Sequence, residues 1–221
     1  MGHLYYSQSN PEILDPKRRL LIAKQISFIL KDHFNDKSLK KMRLLDVGCS
    51  SGIITDYLSR SFAKVYGVDI DKKAIQAKKV QSKNSTFKIG DATQLSFPEN
   101  YFDVVICNHV YYYIKKQAKL VSEIYRVLKP GGICYFSGIN KCSPLKPKQV
   151  LPVFYLSYWQ LKNLCKKFRI YSYTGKIINN PQRHQNAKLI PFQKILSLLP
   201  ITLWNMLEPI VPDFIWILKK E

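Results

Sequence analysis

Five short motifs follow one another at regular distances in this 221-residue chain, and their order constrains the fold more than any other feature. The first, LLDVGCSSG (44–52), has the pattern of a buried strand, a glycine-bearing turn and the start of a helix. It is followed by VYGVDID, IGDA, YFDVVICNHV and EIYRVLKPGG. Strands that alternate with helical segments at such intervals predict right-handed crossovers and a doubly wound, mostly parallel α/β sheet.

The segments around these motifs predict the remaining elements. Residues 17–34 place apolar side chains on one broad face, and Asp15-Pro16 before them is typical of a helix start. A second helix, from Lys115 to Leu128, should end at Lys129-Pro130-Gly131-Gly132, because proline and paired glycines do not continue a helix. Strand five, ICYFSGI, is expected directly after this stop.

The chain changes character after residue 140. VFYLSYWQLKNLCKKF (153–168) predicts an aromatic helix, and IYSYTGKII and FIWILKK predict two further strands. The length suits one well-cored domain. We therefore expect a single domain over residues 1–221, with an N-terminal helical lid (1–39), a cofactor-binding core (40–140), and a substrate cap with the last strands (141–221).

The net charge of +20 has two interpretations. It can serve an anionic partner, such as a membrane surface or nucleic acid, or it can reflect the lysine bias of an AT-rich genome. Nucleic-acid sites rely on bidentate arginine contacts, and most of the basic residues here are lysines. Nucleic acid is therefore the least favoured partner.

Several other classes of protein are disfavoured. The five cysteines are scattered and show no CxxC spacing, which argues against a disulfide framework and favours a reducing, cytoplasmic location. The four histidines share no ligand spacing, so no metal site is expected. The N-terminus has no signal-peptide pattern, and the most apolar window, 195–207, is too short for a spanning helix.

Acidic residues end or precede the turns of three predicted strands. Asp46 precedes the glycine turn, where it would repel a pyrophosphate but suits a ligand with a cationic amine, and the GxGxxG pattern of dinucleotide sites is not met. Asp69 can accept both hydroxyls of a ribose, with Asp71 as the weaker alternative. Asp91 can accept from an exocyclic amine while the Ala92 N–H reaches a ring nitrogen. Amine, ribose and adenine together describe S-adenosylmethionine.

In these motifs the chain resembles the class I S-adenosylmethionine-dependent methyltransferases, in particular the group of ubiquinone/menaquinone-type and small-molecule methyltransferases. The resemblance covers roughly residues 40–140. It implies a Rossmann-like, seven-stranded sheet with an antiparallel last hairpin and a helical C-terminal cap. It also implies in-line methyl transfer with S-adenosylmethionine as the cofactor.

The resemblance carries over to individual positions. It implies that Gly48, Cys49 and Gly52 contact the methionine part of the cofactor and that Asn108 and His109 lie beside the sulfonium. Ser50 departs from the family, which usually has a glycine there, and it is tolerable only if the backbone does not need a positive φ. The predicted cofactor-binding set is Asp46, Gly48, Cys49, Ser50, Gly52, Asp69, Ile70, Asp91, Ala92, Asn108 and His109.

The acceptor side is less defined. His109 is the candidate catalytic residue, as a proton acceptor near the methyl group, but a wall residue or a buried core histidine remains an equal alternative. Tyr111, Tyr112 and Tyr113 are expected to be core and pocket lining. Residues 189–217, with Trp204 and Trp216, either pack on the sheet or lie in a membrane interface.

We therefore predict a methyltransferase that acts on a small, apolar or lipid-linked acceptor, in the cytoplasm or at an anionic membrane surface. The alternatives are a non-catalytic S-adenosylmethionine-binding protein, a membrane-peripheral protein and an RNA methyltransferase. The oligomeric state is not defined by the sequence.

Overall fold

The computed structural model describes residues 15–34, 36–76, 82–142, 152–174, 209 and 213–221. The start of the predicted N-terminal lid and most of the predicted C-terminal cap lie outside these residues. Seven strands are described, and the predicted strand IYSYTGKII (170–178) is described only as far as residue 174.

A single seven-stranded sheet organises the described residues, in the order β3-β2-β1-β4-β5-β7-β6. The first five strands in this order are parallel to their neighbours, whereas β7 runs antiparallel to both β5 and β6. The predicted Rossmann-like sheet with an antiparallel last hairpin is therefore confirmed. The strands are β1 (Arg43–Val47), β2 (Lys64–Asp69), β3 (Ser85–Ile89), β4 (Phe102–Asn108), β5 (Leu128–Ile139), β6 (Phe168–Ser172) and β7 (Asp213–Lys220).

Helices cover both faces of the sheet, because successive strand residues alternate between two apolar clusters. In β4, Val104 and Ile106 join the cluster with α1 and α3, whereas Val105 and Cys107 join the cluster with α5 and α6. The helices are α1 (Pro16–His33), α2 (Asp36–Leu39), α3 (Ile53–Ser59), α4 (Lys72–Gln76), α5 (Gln117–Val127) and α6 (Tyr158–Leu164). The predicted start of α1 is confirmed, since the Asp15 side chain accepts from the Lys17 N–H at 3.0 Å.

Two predicted boundaries were wrong. Strand β5 begins at Leu128, before the expected stop, because Leu128 already pairs with Phe102 and the register then shifts, so that Val104 pairs with Ile133. Lys129-Pro130-Gly131-Gly132 is accommodated as an irregularity inside the strand, with Gly131 at φ 75°.

The aromatic helix predicted over 153–168 is shorter than expected. It starts only after Ser157, whose side chain accepts from the Gln160 N–H while the Gln160 side chain accepts from the Ser157 N–H. This reciprocal capping fixes the helix start. Phe154 and Tyr155 therefore lie in the non-helical segment before α6, and they do not share a helix face with Tyr158 and Trp159.

Among the described residues, no helix combines the length and the apolar character that crossing a bilayer would need.

Lys220, at the end of β7, fastens the antiparallel hairpin to the parallel part of the fold. Its ammonium donates to the Tyr125 and Leu128 carbonyls at 2.8 and 2.7 Å and to the Asn100 side chain at 2.8 Å. The residue is buried, and its cation lies 4.6 Å from the Tyr125 ring centroid. The carbonyls belong to the end of α5 and the start of β5, where a positive charge is favourable.

Replacing Lys220 by methionine should lower the free energy of unfolding by about 2 kcal/mol, because the acceptors lose a charged donor while the apolar stem is kept. Urea denaturation followed by circular dichroism measures this change. Lys219→Met is the matched control on the half-buried neighbour and should change the free energy by less than about 0.5 kcal/mol. Equal effects of the two substitutions would contradict the fastening role.

Candidate functional site

The carboxyl ends of β3, β2, β1 and β4 lie side by side, because these strands are parallel and adjacent. Backbone hydrogen bonds join the segments that follow them. The Gly48 N–H donates to the Val68 carbonyl at 2.7 Å, and the Gly90 N–H donates to the Asp69 carbonyl at 2.9 Å. The predicted site residues from four strands therefore meet at one edge of the sheet, where open α/β sheets bind ligands.

The turn after β1 adopts left-handed backbone conformations at three positions, with φ values of 73° at Gly48, 50° at Ser50 and 79° at Gly52. At Gly48 an added Cβ would collide with the side chain of Val110, so packing within the protein requires a glycine here whether or not a ligand approaches it. Gly48 is required because the turns after β1 and β4 pack on each other. Ser50 does need a positive φ, so the condition for tolerating serine is not met, and the strain costs roughly 1 kcal/mol.

Asp69 ties the end of β2 to the glycine turn. One carboxylate oxygen accepts from the Ser50 N–H at 2.6 Å, and the other accepts from the Asp71 N–H at 2.9 Å. Burial raises the pKa of Asp69. Asp71, the alternative ribose ligand, is buried and accepts from the Ala74 N–H at 3.1 Å at the start of α4, which is a helix-capping role.

Asp46 is buried beneath the turn, and the Thr55 hydroxyl donates to it at 2.6 Å. Burial raises the pKa of Asp46 to about 7, against the lowering effects of the Thr55 hydrogen bond and of the Arg19 charge. The carboxyl therefore titrates near neutral pH, and a cationic group beside it would favour its ionised form.

Arg19 and Thr55 are site residues that the sequence analysis missed. Arg19 lies on the buried side of α1, and its positive charge lowers the pKa of Asp46, Asp69 and His109. A buried arginine that acts on three site groups is not visible in a helical pattern, because Arg19 sits within a basic run, KRR, that resembles a solvent-exposed helix start. Thr55 gave no signal apart from its place in the first turn after the glycines.

The end of β3 is more open. Asp91 is exposed, and one of its carboxylate oxygens accepts from the Thr93 N–H at 2.7 Å. Ala92 beside it is half-buried. Ile70 follows Asp69 and is 64% exposed, which leaves an apolar side chain uncovered at the same edge. Ligand sites combine apolar side chains with a small number of polar groups, and this edge offers both.

The end of β4 places Asn108 and His109 at the other side of the turn. The Ser137 hydroxyl donates to the Asn108 side chain at 2.8 Å, and the His109 N–H donates to the Ser137 carbonyl at 3.0 Å. His109 has a φ of 57°, which is strained for a non-glycine residue. Burial lowers the pKa of His109, so the imidazole is neutral at neutral pH.

Tyr111, Tyr112 and Tyr113 form a single 3₁₀ turn directly after His109. Tyr111 is fully buried, and its hydroxyl donates to the Ile139 carbonyl, so it belongs to the core. The Tyr112 hydroxyl lies 3.4 Å from Nδ1 of His109, and the two rings meet edge to face at 6.2 Å between centroids. Tyr112 is thus the side chain that faces the imidazole.

Comparison with known proteins finds a family that is similar to this chain over the same edge of the sheet. Residues 45–136 match the family described as "Methyltransferase domain", and this range contains the turn after β1, Asp69, Asp91 and the end of β4.

Two curated relatives carry the name "Ubiquinone biosynthesis O-methyltransferase". The protein from Nitrosococcus oceani is 33% identical over 113 residues, which cover 48% of this chain and 48% of the relative. The protein from Pelagibacter ubique is 28% identical over 130 residues, which cover 58% of this chain and 54% of the relative. The chain thus spans about half the length of the curated relatives it matches.

A solved structure shares the fold over most of the chain. Phosphoethanolamine N-methyltransferase 2 of Haemonchus contortus, in complex with phosphomonomethylethanolamine and S-adenosylhomocysteine, aligns with a TM-score of 0.57 at 20% sequence identity. The alignment covers 90% of this chain and 53% of that chain.

The raised pKa of Asp46 predicts a pH-dependent stability. Between the unfolded pKa near 3.9 and about 7, the folded state retains a proton that the unfolded state has lost, so stability falls as pH rises and levels off above pH 7. Asp46→Asn, which can still accept from Thr55, should remove this loss. Its stability relative to the native chain should improve by roughly 2 kcal/mol between pH 5 and pH 8.

Urea denaturation at both pH values tests this prediction. Asp103→Asn is the control, because Asp103 lies at the amino end of β4 and accepts from Lys129 at 2.6 Å and from the Arg43 N–H at 2.8 Å. A pH-independent difference between Asp46→Asn and the native chain would show that Asp46 is already ionised at pH 5.

Proposed function

We propose, on the premise that residues 45–136 of this chain belong to the class I S-adenosylmethionine-dependent methyltransferases, that the protein transfers the methyl group of S-adenosylmethionine to a hydroxyl of a small, apolar or lipid-linked acceptor. The family, the fold and the cofactor are as the sequence predicted. The acceptor, the activity of the whole protein and the role of each residue are proposals.

One observation carries the proposal: the Asp69 carboxylate lies at the end of β2 and is bonded to the backbone of the glycine turn. Two backbone N–H groups fix the orientation of this carboxylate. We propose that it accepts hydrogen bonds from the two ribose hydroxyls of the cofactor. The arrangement fits the cofactor because Asp46 and Asp69 are both desolvated acids, and a ligand with a cationic amine and a sulfonium compensates them.

The other parts of the cofactor are assigned to neighbouring residues. Ile70 offers its exposed side chain to one face of the adenine, and Asp91 with the Ala92 N–H takes the polar edge of the ring. Gly48, Cys49, Ser50 and Gly52 present turn backbone to the methionine part, with Asp46 beneath the turn orienting the amine. Asn108 lies next to them. Arg19, which the sequence analysis missed, is proposed to hold the cofactor carboxylate.

The acceptor hydroxyl is supported by the names of the two curated relatives, which are both O-methyltransferases. When bound, S-adenosylmethionine supplies an electrophilic methyl group. A hydroxyl is a weak nucleophile until its proton is removed. We assign that proton to His109: it passes from the acceptor oxygen to the imidazole as the oxygen–methyl bond forms and the sulfur–methyl bond breaks, which leaves S-adenosylhomocysteine.

Tyr112 is proposed to position His109. If Nδ1–H of the imidazole donates to the Tyr112 hydroxyl, the lone pair is on Nε2 and is available to the acceptor. The separation of 3.4 Å is long for a hydrogen bond, and such bonds often tighten when substrate binds. The positive φ of His109 is the kind of strain that functional residues retain.

Two further expectations are kept as proposals. The single-domain organisation is supported by β7, which comes from the C-terminal part and lies between β5 and β6. The reducing, cytoplasmic location is supported by the five cysteines, which all lie among the described residues and form no disulfide there.

Asp69→Asn should weaken S-adenosylmethionine binding by about 10- to 100-fold, because hydrogen bonds to a charged acceptor are lost. Isothermal titration calorimetry with S-adenosylmethionine measures the affinity, and thermal unfolding shows that the variant is folded. Asp71→Asn is the matched control: asparagine caps a helix as well as aspartate does, so the affinity should stay within about twofold. A larger loss in Asp71→Asn than in Asp69→Asn would move the ribose to Asp71.

His109→Gln should lower kcat for a phenolic acceptor roughly 100-fold, since a general base contributes on this scale, and should change S-adenosylmethionine affinity far less than kcat. Because burial lowers the pKa of His109, the rate of the native protein should rise with pH on the acid side and be level by neutral pH. Tyr112→Phe should lower kcat with KM unchanged.

The double variant decides the role of Tyr112. If Tyr112 acts only through His109, His109→Gln combined with Tyr112→Phe is no slower than His109→Gln alone. If the double variant instead loses kcat by the product of the two single losses, Tyr112 does not act through His109 and its role is merely structural. The assay uses a tritium-labelled methyl donor with phenols and the corresponding aromatic amines. Label on amines alone would overturn the hydroxyl proposal and leave cofactor binding unaffected.

A further inference from the structure

We propose that one face of α6 docks the protein on an anionic lipid surface. The α6 face consists of Trp159, Lys162 and Asn163 of the helix together with Lys166 in the turn that follows it, and all four are exposed. The three helical residues follow one another at helical spacing, so their side chains form a single stripe. The opposite side of the same segment, with Tyr158, Leu161 and Cys165, is buried in the core.

The helix presents this face rigidly. The reciprocal hydrogen bonds of Ser157 and Gln160 cap its start, and the Cys165 N–H donates to the Leu161 carbonyl at 3.0 Å near its end. The buried side anchors it, since the Tyr158 ring packs edge to face on Trp216 at 5.7 Å between centroids. Because the α6 face is already ordered, it can bind a surface without losing the conformational entropy that ordering on binding would cost.

Trp159 is the apolar part of the α6 face. It is 67% exposed, although a tryptophan gains more from burial than almost any other side chain. The Lys162 ammonium lies 5.9 Å from the Trp159 ring centroid and 5.0 Å from the Tyr158 ring centroid. An indole beside a long basic side chain suits the boundary between lipid headgroups and acyl chains, where the ring is half apolar and the lysine reaches the headgroups.

The charges around α6 specify an anionic occupant. Residues 152–174 contain no aspartate or glutamate, and their four basic residues are Lys162, Lys166, Lys167 and Arg169. Three of these are lysines, which act as point charges toward headgroup phosphates, whereas nucleic-acid readout favours the bidentate arginine fork. A lipid surface therefore fits the α6 face better than a nucleic acid.

This location differs from the membrane contact considered in the sequence analysis, which used residues 189–217. Trp216 of that stretch is fully buried in the middle of β7, so it cannot insert into a membrane interface. Trp204 and the residues around it lie outside the described residues. The inference therefore rests on α6 alone.

The segment before α6 connects the α6 face to the turn that contains Tyr112. The Phe154 N–H donates to the Tyr112 carbonyl at 2.7 Å, and the Gln117 side chain donates to the carbonyls of both Tyr111 and Phe154. Phe154 is itself 37% exposed. Docking would thus place the acceptor side of the candidate site near the lipid, but the docking does not depend on methyl transfer.

Sedimentation of the full chain with vesicles tests the proposal. We expect binding to vesicles of phosphatidylglycerol and phosphatidylcholine that falls with added salt, and little binding to phosphatidylcholine alone. Each lysine near an anionic surface contributes about fivefold to the partition coefficient, so Lys162→Glu with Lys166→Glu should lower it by at least about 25-fold. Trp159→Ser should also lower it.

The matched control carries the same charge change elsewhere. Lys40 and Lys64 are exposed near the amino ends of β1 and β2, at the opposite edge of the sheet from the proposed cofactor site. Lys40→Glu with Lys64→Glu should lower binding far less than the α6 pair. Equal losses would show that net charge alone drives binding and would overturn the α6 assignment, as would equal binding of the native chain to neutral vesicles.

Fluorescence locates the contact. Addition of phosphatidylglycerol vesicles should shift the tryptophan emission to shorter wavelength in the native chain, and this shift should be largely lost in Trp159→Phe. A second copy of the chain is the alternative partner of the α6 face, and light scattering without lipid tests for it. If the native chain is a dimer that Trp159→Ser converts to a monomer, the α6 face is a dimer interface and the lipid proposal is overturned.

Discussion

The hydrogen bond from the Ser50 N–H to the Asp69 carboxylate, at 2.6 Å, is the contact on which the candidate site depends. It joins the turn after β1 to the end of β2, and the backbone bond from Gly48 to Val68 reinforces the junction. The turn needs left-handed conformations, one of them at a serine, and the carboxylate stabilises that strained position. The same carboxylate is therefore both a fastening of the loop and the group that we assign to the ribose.

This dual use has an electrostatic consequence. Asp46 and Asp69 are two acids at the turn after β1, and burial raises the pKa of both. The positive charge of Arg19, in α1, lowers the pKa of both carboxyls but offsets only part of the effect of burial. A site that is electrostatically incomplete in this way gains affinity for a cationic ligand, since the ligand's charge compensates what burial has cost. The same two acids would repel a pyrophosphate, whose charge has the opposite sign to that of a sulfonium.

The cofactor side could be predicted from the sequence because its residues lie within local patterns. Apolar runs defined the strands, and each acid or glycine of interest directly follows one of them. The two wrong boundaries have different causes. Long-range pairing of Leu128 with Phe102 extends β5 across Lys129-Pro130-Gly131-Gly132, whereas the local hydrogen bonds between Ser157 and Gln160 start α6 later than its apolar residues suggested. Arg19 and Lys220 looked like surface charges, because only the packed fold shows which acids or carbonyls they reach.

The acceptor side shows the same limit more strongly. His109, Tyr112, Gln117 and Phe154 are brought together by the turn after β4 and by backbone bonds to a segment about forty residues further along the chain. No spacing rule in the sequence connects these positions, whereas the cofactor motifs repeat at the ends of successive strands. If His109 is the base, as we propose, the segment from 152 to 157 is where a change of sequence can alter the acceptor without disturbing the sheet. Because this segment carries no helical or strand hydrogen-bond ladder of its own, its position depends on individual hydrogen bonds, from the Phe154 N–H to the Tyr112 carbonyl and from the Lys141 N–H to the Leu156 carbonyl. These bonds join the turns after β4 and β5 to the start of α6.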